Sequence, residues 1–191
     1  MNNSNQLWET DLKYGSIAAE KRFFFSLSYI DVYDRSIVGY HIGLKCEGVD
    51  AARTLEQALW KRKLLEEEIK PVIRTDNGPQ FKSRIFQKKC QSLKIEHERI
   101  RNRTPNMNAH IEAFHSILEA ECLSLYEFQT YAEAYKVVSD FIKFSSQPQL
   151  MNSQFGNGVK GERSKGEAFT LDGIEELAKI GIQLREKPKK T

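Results

Sequence analysis

The sequence predicts an α/β domain: a mixed five-stranded sheet flanked by helices. Three observations carry this. Two runs rich in aromatic and β-branched residues, 23–32 and 36–44, are separated only by Tyr33-Asp34-Arg35, which reads as an antiparallel hairpin. Beyond residue 48, helical and extended patterns alternate, which places helices on the faces of a sheet with both parallel and antiparallel neighbours. A chain of 191 residues is also long enough for one substantial core.

In order, residues 7–12 form a short strand that ends near Asp11, and residues 11–20 read as a loop because Tyr14-Gly15-Ser16 interrupts the pattern. The hairpin strands follow. Residues 49–65 carry Ala51, Leu55, Leu59 and Leu64 near helical spacing, with few breakers, and predict a helix. Residues 71–75 are a short apolar strand stopped by Asp76-Asn77-Gly78-Pro79, a strong turn signal. A helix over 81–93, a strand over 95–100, a polar loop over 101–108, a long helix from Ala109 and a last helix over 130–144 complete the domain.

Net charge is only +3, but it is unevenly distributed. Residues 82–103 hold eight basic side chains (Lys82, Arg84, Lys88, Lys89, Lys94, Arg99, Arg101, Arg103) against Glu96 and Glu98, whereas 112–139 hold five glutamates and one lysine. Such a strip steers a polyanion or simply solvates a helix face and a loop. Cys46, Cys90 and Cys122 are odd in number and widely spaced, so neither a zinc site nor a disulfide framework is indicated, and reduced, mostly buried thiols are expected. No apolar run reaches membrane-spanning length and the polar start is not a signal peptide, so a cytoplasmic protein with no membrane partner is expected.

Three carboxylates point to chemistry. Asp11 follows the apolar Leu7-Trp8, Asp76 follows Val72-Ile73-Arg74-Thr75, and Glu112 comes after a further 35 residues, within Asn108-Ala109-His110-Ile111-Glu112. Acids lifted to the carboxyl edge of a sheet commonly form sites. Clustered hard oxygen ligands hold divalent ions, and two ions about 4 Å apart clamp the attacking and leaving oxygens of a phosphodiester. Taken singly, Asp11 also reads as a surface charge, Asp76 as an ordinary turn residue and Glu112 as an exposed helical glutamate.

The whole set, in order, resembles the catalytic core of retroviral-integrase-like insertion-sequence transposases, whose acidic triad has this D,D-35-E spacing. The likeness runs over residues 7–144. It includes Trp8-Glu9-Thr10-Asp11, Tyr29-Ile30-Asp31-Val32-Tyr33-Asp34-Arg35, Ile37-Val38-Gly39-Tyr40, Thr75-Asp76-Asn77-Gly78-Pro79-Gln80-Phe81, Arg103-Thr104-Pro105 and Asn108-Ala109-His110-Ile111-Glu112-Ala113-Phe114-His115. It implies a ribonuclease-H-like fold, with the first acid on the central strand, the second just beyond the fourth and the third on a helix beside them.

It also implies a DDE-type, metal-dependent polynucleotidyl transferase that cleaves and joins DNA strands, with two Mg²⁺ or Mn²⁺ ions. Asp11 and Asp76 would hold one ion, and Asp11 and Glu112 the other. Asn108, one turn before Glu112, would touch a phosphate or base, and Lys82, Arg101 and Arg103 are the candidate backbone contacts. His115 is as consistent with a structural role as with a site role. The implied partners are DNA (transposon ends and target) and further copies of the chain in a homo-oligomer. The implied setting is the bacterial cytoplasm, at the nucleoid when DNA is bound. A ribonuclease-H-like nuclease acting by hydrolysis alone, and a catalytically impaired remnant or DNA-associated scaffold, are the competing readings.

Two departures qualify the likeness. Where relatives place basic residues on the third acid's helix, this chain has Ser116 and Glu119. After residue 144 the family pattern gives way to Ser145-Ser146-Gln147-Pro148 and a Gly- and Lys-rich stretch, which divides the chain into a core (1–144) and a divergent tail (145–191), with a short helix expected near 174–184. A shifted frame, a fusion or a decayed element copy would each produce this. Few residues precede Trp8, so recognition of transposon ends is expected to come from a separate polypeptide or another copy, or to be absent.

Overall fold

The structure is a computed structural model that describes residues 3–100 and 107–146. Five strands form one sheet in the order β3-β2-β1-β4-β5: β1 (Leu7–Ile17), β2 (Arg22–Asp31), β3 (Ile37–Gly43), β4 (Val72–Thr75) and β5 (His97–Arg99). The first three pair antiparallel, while β4 runs parallel to β1 and β5 parallel to β4. The predicted mixed five-stranded sheet is therefore present, with β1 at its centre.

Side chains alternate across a strand, so β1 serves two layers. Trp8 faces a core shared with Leu27, Tyr29, Val38 and Ile73 of the sheet. Against them pack Leu55 and Leu59 of α1 (Gly48–Lys61), Phe81 of α2 (Pro79–Lys82), and Phe86 and Cys90 of α3 (Arg84–Ser92). Ala51, Leu55, Ala58 and Leu59 recur at helical spacing, which gives α1 one apolar stripe to bury. Its start is fixed by the Glu47 N–H donating to Asp50 Oδ2 at 2.9 Å. On the other face of the sheet lie α4 (Ala109–Leu118) against β1 and α5 (Tyr131–Ser145) against β3.

Three local expectations are corrected. The segment after Asp11 is not a loop: β1 continues to Ile17, and Gly15 pairs with Phe24. That glycine marks a close approach instead of a break, since a Cβ there would stand 2.5 Å from the Phe24 ring. The helix expected over 81–93 is two helices. Ser83 is extended (φ −61°, ψ 144°), and its Oγ accepts the Phe86 N–H while donating to the Gln80 carbonyl. Gly48 leaves room for that serine, for a Cβ at position 48 would collide with its Oγ. The long helix at Ala109 changes at Glu119 into one π-helical turn, Glu119–Leu123. The expected tail helix lies outside the described residues.

Cys90 and Cys122 are buried and Cys46 is half-buried, all as free thiols. Burial pushes Cys90 up to about 11, and Cys46 and Cys122 up to about 12. At pH 8 the thiolate, which is the reactive form, is then about one part in a thousand or less. Titration of the native protein with a disulfide reagent at pH 8 should find all three cysteines slow, and unfolding in guanidinium should release them together. Among the described residues no helix is long and apolar enough to cross a membrane.

Candidate active site

Parallel pairing of β1 with β4 ends at the rung Thr10–Thr75, both fully buried, and the next residue on each strand is an aspartate. Asp11 and Asp76 are thereby delivered side by side where β4 stops. Asp11 Oδ1 accepts the Leu12 N–H at 2.7 Å, and Asp76 Oδ1 accepts the Gly78 N–H at 2.9 Å, an Asx turn that shapes the loop. Asn77 Nδ2 donates to the Ile100 carbonyl at 2.7 Å and ties that loop to the end of β5. Burial, and then the Asp11 carboxylate, raise the Asp76 pKa against the opposing pull of the Gly78 N–H and Lys82. Two carboxylates near enough to resist each other's ionisation form a site that a divalent cation would relieve.

Helix α4 lies along β1 and keeps in step with it. Glu9 meets His110, Asp11 Oδ2 meets His115 Nδ1 at 3.5 Å, and Lys13 Nζ meets Glu119 Oε2 at 2.8 Å. Two residues of strand advance about 6.7 Å and four to five of helix about 6–7.5 Å, so alternate β1 side chains find successive turns of α4 and of the π-helical turn that follows it. Glu112 is exposed, three residues before His115 and so on the neighbouring row of that surface; its N–H donates to the Asn108 carbonyl at 3.0 Å. Among the described residues no three carboxylate, histidine or cysteine groups converge closely enough to hold a metal ion. Asp11 and Asp76 thus form an adjacent pair of hard oxygen donors of the kind a divalent ion takes, with Glu112 exposed on the adjoining helix.

Asn108 is buried, and its Nδ2 donates to the Thr10 carbonyl at 3.3 Å, so in this arrangement the amide ties α4 to the strand beside Asp11. His115 is buried too, with its Nε2 lacking a hydrogen-bond partner. Lys82 is exposed at the end of α2 and close enough to pull on Asp76. Arg101 and Arg103 lie outside the described residues.

Sequence reasoning gave no role to a charged network behind the aspartates. Glu9 and Arg74 are direct partners across the parallel strands, each two residues before an aspartate. Glu9 is 1% exposed, and burial raises its pKa despite the Ile111 N–H and Arg74. Arg74 Nε donates to Glu98 Oε2 at 3.0 Å, and its Nη1 to the Met107 carbonyl at 3.0 Å. The available signal was a charge after two apolar residues in each of Leu7-Trp8-Glu9 and Val72-Ile73-Arg74, at the same offset from an acid.

A profile of the integrase core domain matches residues 2–105, and the chain belongs to that family. It is 32% identical over 143 residues to an uncharacterized 39.2 kDa protein of insertion element IS476 from Xanthomonas euvesicatoria, covering 75% of this chain and 40% of that protein. It is 25% identical over 119 residues to transposase InsF of insertion sequence IS3A from Escherichia coli K12, covering 62% of this chain and 40% of that protein. The chain thus spans well under half the length of these curated relatives.

Among solved structures, the catalytic domain of Mos1 mariner transposase superposes with a TM-score of 0.59 at 14% identity, over 73% of this chain and 70% of that one. The HTLV-2 integrase catalytic core domain, solved with magnesium in a dimeric form, gives 0.52 at 20% identity, over 76% and 89%. These likenesses show the fold, the ribonuclease-H-like architecture of integrase and transposase catalytic domains.

Proposed function

We propose that this chain is the catalytic core of an insertion-sequence transposase, a metal-dependent polynucleotidyl transferase that cleaves and joins DNA strands. The observation that supports it most is the pairing of Asp11 and Asp76 at the end of adjacent parallel strands, with Asp76 half-buried and repelled by its neighbour. Asp11 and Asp76 would hold one Mg²⁺ or Mn²⁺ ion, and Asp11 with Glu112 a second. The chemistry supplied by ions bound there is activation of water or a DNA 3′-hydroxyl and stabilisation of the departing 3′-oxygen. The carboxylates offer hard oxygens, the Asx turn at Asp76 fixes one of them, and His115, three residues after Glu112 on α4, lies 3.5 Å from Asp11. Lys82, with Arg101 and Arg103, would bind the phosphate backbone, and Asn108 would order the α4 start against the strand. DNA ends and target, self-association, a separate end-recognition polypeptide and nucleoid association in the cytoplasm belong to this proposal.

The position of Glu112 outside the aspartate pair favours one second reading, a catalytically impaired scaffold that binds DNA without cutting it. Nicking and strand transfer on a labelled duplex with Mn²⁺ or Mg²⁺, native against Asp76→Asn, separates the two. The transposase reading expects metal-dependent products that fall by about 10³-fold in the variant, since ion-mediated stabilisation amounts to several kcal/mol. Equal products in both would overturn it. A folded native protein that binds DNA and yields no product would establish the scaffold.

A further inference from the structure

Glu9 does more than neutralise Arg74. Its Oε2 accepts the backbone N–H groups of His110 at 2.9 Å and Ile111 at 3.1 Å, and its Oε1 lies 2.9 Å from His110 Nδ1. Those amides belong to the first turn of α4, whose N-cap residue, Asn108, makes no capping bond with its own side chain. A helix start exposes N–H groups without intrahelical partners, and an anion placed there also meets the positive end of the helix dipole. Here the cap comes from the central strand, about one hundred residues away in sequence. The Arg74 Nη1, 3.7 Å from Glu9 Oε1, also binds the Met107 carbonyl, so both members of the strand pair grip the entry to the same helix.

The placement is specific. Glu9 and Arg74 precede Asp11 and Asp76 by two residues; Glu9, Asp11 and Arg74 project from one face of the sheet, and Asp76 follows directly where β4 ends. Glu112 follows the capped Ile111 directly.

We propose that Glu9 is a positioning residue that seats the first turn of α4 on β1 and so sets where Glu112 stands relative to Asp11 and Asp76; this rests on the catalytic reading above. A buried ion pair with a purely structural role would need only Arg74. The two amide bonds have no part in such a pair, yet they fix both the height and the rotation of the helix that carries the third acid.

The test uses the full chain without DNA, with two readouts: hydrogen exchange of the α4 amides and Mn²⁺ binding followed by electron paramagnetic resonance. Glu9→Ala should speed exchange at His110 and Ile111 at least about tenfold, leaving α5 and β2 as in the native protein. It should weaken Mn²⁺ binding by about 10–100-fold, the usual effect of removing a group that orients a metal ligand. Glu9→Gln keeps an oxygen for both amides and an N–H for His110 Nδ1, so it should stand nearer the native protein on both readouts. That rescue also guards against a Glu9→Ala variant that folds poorly.

Unchanged first-turn exchange in Glu9→Ala, unchanged Mn²⁺ affinity, or a Glu9→Gln variant as defective as Glu9→Ala would each overturn the proposal. Asp76→Asn separates the two levels. If native protein binds Mn²⁺ no better than Asp76→Asn, the catalytic reading fails and takes this role with it. If that pair differs as expected and Glu9→Ala matches native, only the role of Glu9 fails.

Discussion

Glu112→Gln is expected to reduce metal-dependent strand cleavage by about 10³-fold while the melting temperature stays within a degree or two of native. The first half follows from charge. If Glu112 supplies an oxygen to an ion shared with Asp11, the amide removes one of the few anionic ligands, and ion-mediated stabilisation is worth several kcal/mol in the transition state, with each 1.36 kcal/mol a factor of ten. The second half follows from exposure. Glu112 is exposed, and its backbone bonds within α4, its N–H donating to the Asn108 carbonyl and its carbonyl accepting from Ser116 Oγ. An exposed polar substitution usually changes stability by no more than about 0.5 kcal/mol, and that range takes in the salt-screened meeting of a first-turn carboxylate with the helix dipole, about 0.3 kcal/mol at an exposed position. Cleavage assays and a thermal scan on one preparation check both halves. A variant as active as native would remove Glu112 from the site and leave a two-aspartate centre.

Trp8→Ala is expected to give the largest loss of stability, about 3–5 kcal/mol, as for other large-to-small core substitutions. For a domain of this size that lowers the melting temperature by roughly 10 °C or more. Trp8 is fully buried on the central strand, paired with Asp31 on β2 and Ile73 on β4, and it sits in the core beneath α1 and α3. Its indole N–H also donates to Asp31 Oδ2 at 3.2 Å. Asp31 is fully buried as well, and it further accepts from the N–H groups of Asn5 at 2.6 Å and Tyr33 at 2.9 Å. Alanine leaves a cavity and takes one donor from a buried carboxylate. Trp8→Phe should fill most of the space and cost about 1–3 kcal/mol, chiefly for the lost donor. Denaturant unfolding of the two variants separates volume from hydrogen bonding.

What could be read in advance was local. Asp76 was legible because an apolar strand running into Asp-Asn-Gly-Pro has few alternatives, and the structure ends β4 at Thr75. The hairpin of β2 and β3 was legible for the same reason. The full length of β1 was not, because Gly15 looks like a breaker until Phe24 is seen lying over it. The interruption at Ser83 was hidden for a related reason: the space it needs is provided by Gly48, on another helix. Asn108 was expected to reach DNA from its spacing to Glu112, but spacing does not report that its amide meets the Thr10 carbonyl. Glu9 carries no such signal, since a cap offered by a strand to a helix about a hundred residues later has no local signature.

The central place of β1 also bears on when the site comes into being during synthesis. Its hairpin with β2 closes within the first 31 residues, but β4 arrives only at residue 72 and the helix carrying Glu112 only at 109. Pairings so distant in sequence form late, after the loop-closure entropy has been overcome. A nascent or prematurely ended chain that stops before residue 109 can build the hairpin and the first aspartate while lacking the third acid altogether. On the proposed transposase reading, the three-acid site would thus be gained in one step, late in the synthesis of the domain, and incomplete products of translation would carry no cutting centre.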